Sequence, residues 1–362
     1  MEEMIEVPVN NLKEFTKQFF TGLGCTEEDA EISADILIAA DRRGISSHGV
    51  QRLKRYYTYV KEGRIKPRYE LKIIKETPNT LTVSGGFGMG HPVAYKVMKM
   101  VINKAKETGM CFATVRESNH FGIAGYYAMM ALPYDMIGIA LTNTEPIVVP
   151  THGRTVAIGT NPISVAVPAK EERPFVLDMG TSTVVRGKVE IYARLGKEMP
   201  GTWAANEEGY PIQDPAKALE NIKKRKGGGL LPLGGAEEET GGHKGYGLAV
   251  LVDILCGVLS GGAFGALVAR DPKSPPNICH FLGAIRIDLF CEPEEFKKRM
   301  DEFIRMLKNT PKAKGKDRIW IHGEKEFEAE ERHREKVPVY RNVLDEIKKL
   351  GKELGADISL LP

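Results

Sequence analysis

A histidine stands four residues ahead of an arginine in GISSHGVQRLKRYYTYV, residues 44–60. Placed on a helix capped by Ser46 or Ser47, His48, Arg52, Arg55 and Tyr59 share one face, while Val50, Leu53, Tyr57 and Val60 form a separate apolar stripe. That polar face holds two complementary tools. A guanidinium is planar and always charged, and it grips a carboxylate through two parallel hydrogen bonds. An imidazole titrates near neutrality and can take or give the proton of a hydroxyl group. The partial positive charge of a helix N-terminus should favour the neutral, proton-accepting form of His48. An ordinary exposed amphipathic helix would carry the same residues without using them.

In VRESNHFGIAGYYAMMA, His120 falls at the end of a predicted strand, before a glycine-containing turn and a helix. Such junctions bring backbone N–H groups close to ligands. A helix-capping SNH turn accounts for the pattern equally well. The stretch VSGGFGMGHPVAY has the strand, glycine and helix order of a dinucleotide site. Its Gly86, Gly88 and Gly90 nevertheless give GxGxG rather than GxGxxG, and no acidic residue stands about 20 positions on. No HExxH, clustered Cys/His set or DxDxDG loop is present, so no metal is expected. GxSxG and the P-loop are missing too.

The elements that must position these residues belong to an ordinary globular chain. Its 362 residues, 42% hydrophobic and 27% charged, suffice for one large core or two domains. With 51 basic against 48 acidic residues, nothing points to nucleic acid as a partner. The opening MEEMIEVPVN lacks the charged and apolar regions of a signal peptide, and Cys25, Cys111, Cys256, Cys279 and Cys291 never form CxxC. Free thiols in a reducing cytoplasm fit that usage. The apolar run GLAVLVDILCGVLSGGAFGALVA is interrupted by Asp253 and by Gly261–Gly262. It reads as a buried core helix, and no membrane partner is expected. Three glutamines beside many Lys/Glu pairs point to a thermophilic source.

Helical periodicity runs from Val9 to Arg43, with Leu12, Phe15, Phe19 and Leu23 as one stripe and Thr26 as the N-cap of a second helix. YELKIIKETPNTLTVSGG reads as extended, and HPVAYKVMKMVINKAKE as a helix with Pro92 in its first turn. CFATVRE, MIGIALTN, VAIGTNPISVAVP, PFVLDMG and HFLGAIRIDLF are strand-like. They lack the regular strand–helix alternation of a doubly wound parallel sheet. Charged helical sequence runs from Glu294 to Gly355, interrupted by RIWIHGEK, and the basic run Lys223–Lys226 reads as a solvated loop.

Several segments stand in a fixed order: SSHGVQRLKRY, SNHFGIAGYYA, LTNTEP, GTNPISVAVP, LDMGTS, GKVEIYARLGKEMPGTWA, LPLGG and GGHKGYGLAVLVDIL. Through them the chain resembles, over about residues 10–345, the malate/L-lactate dehydrogenase family, and within it the archaeal malate dehydrogenase branch. These are NAD(P)-dependent L-2-hydroxyacid dehydrogenases unrelated to ordinary lactate dehydrogenases. The resemblance implies an α+β fold with a central, mostly antiparallel or mixed-sheet cofactor domain that is not a Rossmann fold. That domain would span 75–299, and residues 1–74 with 300–362 would form a second, helical domain carrying the acid/base helix. A homodimer using NAD or NADP is implied as well, and the cysteine usage adds a cytoplasmic location.

By the same resemblance, His48 and His120 are the catalytic candidates, and Arg52 and Tyr56 bind substrate. Cofactor contacts fall on His120, Thr144, Thr160, Asp178, Met179, Gly180, Lys244, His322, Gly323 and Glu324. Gly180 stands where alanine is usual, and His243 where an aromatic residue is common; both bear on cofactor preference rather than on the reaction. The implied activity is hydride transfer between NAD(P) and an L-2-hydroxy acid/2-oxo acid pair, with malate/oxaloacetate first. The alternatives are an L-sulfolactate dehydrogenase or a non-catalytic small-acid-binding protein on the same fold. Both leading substrates are small dianions, and Arg55 offers the second anionic group a partner. His48 is preferred to His120 as proton acceptor because Arg52 shares its face.

Overall fold

A computed structural model describes residues 3–362. The described chain opens with strand β1 (Met4–Pro8), helices α1 (Val9–Gly22) and α2 (Glu27–Arg42), and a broken stretch leading to α3 (Leu53–Lys61). A hairpin of β2 (Lys72–Glu76) and β3 (Thr80–Ser84) precedes the long helix α4 (Gly90–Thr108). Next come β4 (Met110–Ser118), α5 (Ala124–Met129), β5 (Met136–Thr142), β6 (Ile163–Val167) and β7 (Phe175–Met179). A small lobe holds α6 (Arg186–Arg194), the short strands β8 (Ala204–Ala205) and β9 (Pro211–Ile212), α7 (Pro215–Lys224) and β10 (Gly229–Leu230). Helix α8 (Gly242–Asp253) widens into a π turn over Ile254–Val258. The remaining elements are β11 (Ile278–Arg286), α9 (Pro293–Asn309), α10 (Glu324–Arg332), β12 (Lys336–Tyr340) and α11 (Arg341–Glu353).

Seven strands form the central sheet in the order β2-β3-β4-β11-β5-β6-β7. Only β3 and β4 pair in parallel, and every other neighbouring pair is antiparallel. The mixed, mostly antiparallel sheet expected from the sequence is therefore present, and it is not a Rossmann sheet. β4 and β11 are apolar on both faces because both faces are covered. Val97 and Val101 of α4 pack with Val115 and Leu282 on one side, and Val252 and Cys256 of the α8 segment pack with Leu141 and Cys279 on the other.

The helical ends build a separate core. Leu12, Phe15 and Phe19 are fully buried and Leu23 nearly so, as the stripe requires, and they join Val50, Leu53, Tyr56, Val337, Leu344 and Ile347. Thr26 caps α2, its hydroxyl accepting from Asp29 N–H at 3.1 Å. Helix α2 serves both cores: Ala30, Leu37 and Ile38 face the helical one, while Ile32 and Ile36 face the sheet. The helical core is closed by β1 pairing antiparallel with β12, Val7 opposite Val337. Sequence reading missed both strands. MIEVP and KVPVY are five residues long and each contains a proline, too little to show an alternation.

Two further expectations change. The segment read as a buried core helix is two-faced: Leu251, Ile254, Val258 and Leu259 are between 45% and 58% exposed, while Val252 and Cys256 are buried. Composition alone hides this, because the outward residues are as apolar as the inward ones. Helix α9 runs unbroken through residue 300 and is fastened to the β6–β7 connection, where Asp301 accepts from the N–H groups of Lys170, Glu171 and Glu172 at 3.0, 2.9 and 3.2 Å. Among the described residues no helix is long and apolar enough to cross a membrane.

Candidate active site

The His48 segment is not the capped helix that its spacing suggests. The chain makes two 3-10 turns, Ser46–His48 and Val50–Arg52, and the α-helix begins only at Leu53 with no side-chain cap. The cause is Asp41, in the last turn of α2. Its buried carboxylate accepts Val50 N–H at 2.8 Å, an N–H that a longer helix would need for itself. Gly49 lies so close that a Cβ there would come within 1.9 Å of Asp41 Oδ1. Burial pushes the Asp41 carboxyl up to about 7. His48 is thus placed by a tertiary contact, not by helical phase. From Leu53 onward the helix reading holds, with Leu53 fully buried on the core side.

Four charged or titratable side chains gather here. The rings of His48 and His120 lie 5.4 Å apart, and His48 Nδ1 is 2.9 Å from Ser47 Oγ. Burial, then the charges of Arg52 and Arg55, push the His48 imidazole down to about 4. It is neutral, as expected, but through desolvation and two guanidiniums rather than a helix terminus. Arg52 donates Nε–H to Ser47 O at 2.5 Å, which leaves its two terminal nitrogens to form a fork. Arg55 is paired with Glu145 at 2.9 Å, and Tyr59 O–H donates to the same carboxylate at 3.3 Å. The resemblance implies a substrate contact for Tyr56. The structure instead buries its ring completely and sets its hydroxyl 2.7 Å from His120 Nδ1 and 3.0 Å from His91 Nε2.

The turn carrying His120 leaves β4 where the sequence reading puts it, and it is braced from behind. Asn119 Nδ2 donates to Phe87 O and Gly88 O at 3.2 and 2.9 Å. Phe121 stacks on His280 at 4.5 Å, whose Nδ1 lies 2.8 Å from the Thr142 hydroxyl and whose Nε2 lies 2.8 Å from the Ser118 hydroxyl. Gly90 starts α4 against this turn, and a Cβ there would meet Asn119 O at 2.2 Å and His120 O at 2.3 Å. That glycine of the failed dinucleotide fingerprint therefore serves chain packing.

The expected cofactor residues divide into a tight group and a looser one. Thr144 Oγ1 accepts Thr160 N–H at 2.9 Å, and Asn161 Oδ1 accepts Thr144 N–H at 3.0 Å. Asp253 holds this pair of loops together by accepting from Asn143 Nδ2 and Asn161 Nδ2 at 3.1 and 3.0 Å. The sequence marked Asp253 only as a break in an apolar run. Met179 and Gly180 follow at the end of β7 beside Thr160 O, which accepts Thr181 N–H at 2.8 Å. Lys244 is exposed in the first turn of α8. It connects to this group only through the backbone, where Gly245 packs on Leu233 and Leu233 N–H donates to Thr181 O.

A cavity of about 210 Å³ is lined by Asp178, Arg43, Gly125, Trp320, His322, Gly323 and Lys325 among others. Asp178 opens onto it, accepts Gly125 N–H at 2.7 Å and is pushed up to about 6 by the protein around its carboxyl. Glu324 does not line this space. Its carboxylate caps the turn through Ile321 N–H at 2.9 Å and pairs with Lys308 and Arg318. A carboxylate for ribose hydroxyls, cations for phosphate and a glycine-lined wall suit a nucleotide. The volume lies below the roughly 300–1,000 Å³ of most ligand pockets, so it suits one part of a dinucleotide. A second cleft of about 590 Å³, lined by Gln51, Glu190, Arg194 and Tyr340 among others, opens between the helical core and the small lobe. Ile45 lines the first space and Gln51 the second, with His48 midway between them along the chain.

Three comparisons place this arrangement. The chain is 48% identical over 355 residues to a malate dehydrogenase of Pyrococcus abyssi, covering 98% of this chain and 96% of that protein. It is 38% identical over 346 residues to a malate/(S)-sulfolactate dehydrogenase of Methanothermus fervidus, covering 94% and 96%. Its fold is similar to the crystal structure of malate dehydrogenase from Entamoeba histolytica, with a TM-score of 0.93, 39% identity and coverage of 98% and 99%. A sequence profile described as malate/L-lactate dehydrogenase matches residues 7–348, and the chain belongs to that family.

Proposed function

We propose that the protein is an NAD(P)-dependent L-2-hydroxyacid dehydrogenase interconverting malate and oxaloacetate. The observation that carries this reading is the convergence of two guanidiniums, Arg52 and Arg55, on two stacked neutral imidazoles, His48 and His120. Arg52 holds the C1 carboxylate with its free fork, and Arg55 faces the distal carboxylate in competition with Glu145. Neutral His48 takes the hydroxyl proton in oxidation and returns it to the oxygen in reduction. Substrate negative charge arriving beside His48 raises its proton affinity, so binding prepares it for that transfer. Asp178, Met179, Gly180, Thr144, Thr160, His322, Gly323 and Lys244 would hold the cofactor. NAD or NADP, when bound, accepts or supplies the hydride at C2.

L-Sulfolactate is the second reading, supported by the malate/(S)-sulfolactate relative, since a sulfonate offers Arg55 the same charge in a different shape. The division into 1–74 with 300–362 and 75–299 is supported by the two separate cores, although α9 shifts the second boundary past residue 309. A homodimer is supported by the exposed apolar stripe Leu251, Ile254, Val258 and Leu259, and a cytoplasmic location by the unpaired cysteines. NADH and NADPH oxidation measured with oxaloacetate, sulfopyruvate and pyruvate tests the function. Turnover of oxaloacetate that disappears in His48→Ala supports it. Turnover of sulfopyruvate alone moves the substrate assignment, and no turnover of any of them ends the enzymatic reading.

A further inference from the structure

Tyr56 is sealed inside the protein, yet its hydroxyl stands between two imidazoles, 2.7 Å from His120 Nδ1 and 3.0 Å from His91 Nε2. A hydroxyl has one proton to give. Which ring receives it is decided by a third group, the backbone N–H of Gly122, which donates to His120 Nδ1 at 3.4 Å. A backbone amide is always a donor, so His120 Nδ1 must be the bare, accepting nitrogen, and the ring proton must sit on Nε2. Tyr56 then donates to His120 as well, the nearer of two donors that share the single lone pair of Nδ1. Having given its proton, the Tyr56 oxygen accepts from His91, whose own proton must lie on Nε2. The remaining His91 nitrogen, Nδ1, is buried without a hydrogen-bond partner. An unpartnered acceptor is better tolerated in an interior than an unpartnered N–H, so the assignment holds at this end too.

The chain of donors runs one way, from His91 to Tyr56 to His120. Each member is closed to ionisation by its surroundings: burial pushes His91 down to about 3 and keeps Tyr56 unionised. His91 touches no open space, being fully buried and packed edge-on against Phe20 and Tyr56. His120 is half-buried, with its ring stacked over His48 at 5.4 Å.

We infer that His91, acting through Tyr56, is a positioning residue that fixes His120 in the tautomer with its proton on Nε2, so that His120 offers a hydrogen-bond donor to the substrate's oxygen while His48 exchanges the proton. The two histidines then have distinct duties set by their neighbours, one as donor to the developing negative charge and one as acid/base. The role rests on the dehydrogenase reading above, but Tyr56 here is not a substrate contact.

The test is a kinetic cycle of Tyr56→Phe, His91→Leu and the double variant, with His120→Ala as the reference, plus His91→Gln, whose amide can replace the lost donor. Tyr56→Phe should lower kcat about 10- to 100-fold while KM for the oxo acid stays within about threefold. His91→Leu should lower kcat in the same sense, the double variant should be no worse than Tyr56→Phe, and His91→Gln should recover much of the loss. Long-range ¹H–¹⁵N correlation of ring-labelled protein, assigned with His120→Ala, should show His120 protonated at Nε2 in the unliganded protein. A KM-dominated loss in Tyr56→Phe, independent losses that multiply, or a proton on Nδ1 overturns the proposal. If His91→Leu fails to fold, Tyr56→Phe and the spectrum still decide it. Near wild-type kcat in His120→Ala would instead remove the dehydrogenase role of His120 itself.

Discussion

The imidazoles of His48 and His120 lie nearly parallel, 23° between planes and 5.4 Å between centroids. At that separation a proton on one ring opposes a proton on the other, and His48 is among the groups that push His120 down. The pair therefore takes up protons one at a time. Removing His48 should raise the pKa of His120, and the acid limb of any residual activity in His48→Ala should move to higher pH. A pH–rate profile of that variant checks this, and an unchanged limb would separate the two rings electrically.

Loss of His48, the proposed acid/base, is a larger effect. His48→Ala should lower kcat by about 10²–10⁴-fold, with cofactor affinity measured by fluorescence titration left intact. A variant that keeps near wild-type turnover would move the proton transfer to another group.

Arg52→Lys preserves charge and removes the fork. KM for oxaloacetate should rise about tenfold or more, the loss of one charge-assisted hydrogen bond, with a smaller change in kcat. An unaltered KM would take Arg52 out of the substrate site.

Glu145 sits on Arg55 at 2.9 Å and competes with any second anionic group there. Glu145→Gln should lower KM for oxaloacetate and sulfopyruvate by roughly threefold while leaving pyruvate, which has no second anion, unimproved. Equal effects on all three acids would show that Arg55 does not read the distal group.

Stability should fall on acidification for a reason visible in the interior. His91 and His280 are pushed down to about 3, His48 to about 4, and His120 well below 6.5, all chiefly by burial. Unfolding lets each bind a proton near its ordinary value of 6.5. Their contribution is thus present above that pH and lost as pH drops toward 4. Asp41, at about 7 in the fold, works in the opposite sense, its contribution present below 3.8 and lost as pH rises through 7. Tm should therefore decrease from pH 6.5 to 4, and Asp41→Asn should steepen that decrease. A flat Tm across this range would mean that these imidazoles are hydrated.

Much of this was legible in the residues. The stripe Leu12, Phe15 and Phe19 and the Thr26 cap follow from local spacing. The strand-like runs argue only against a doubly wound parallel sheet, and the mostly antiparallel sheet follows from the family resemblance. His48 with Arg52 follows from side-chain chemistry. The break before Leu53 does not, because it is made by Asp41 reaching across nine residues to Val50 N–H. His91 escaped for the same kind of reason: its partner Tyr56 is 35 residues away and nothing local announces the pairing. Glu145 sits 90 residues from Arg55. The candidate cofactor residues came from resemblance rather than from periodicity, since Thr144 and Thr160 are joined across 16 residues and Asp178 meets Gly125 across 53.

The pairing of β1 with β12 has a consequence for how the protein is born. Val7 leaves the ribosome more than three hundred residues before Val337, its partner. Until β12 and α11 emerge, the first helices lack the Leu344 and Ile347 side that completes the core beneath Leu53 and Tyr56. A nascent chain stopped short of that point can build much of the central sheet but not a seated His48–Arg52 segment. Premature termination should thus yield inert fragments with an exposed greasy flank, ready targets for proteolytic clearance, rather than partly active enzyme.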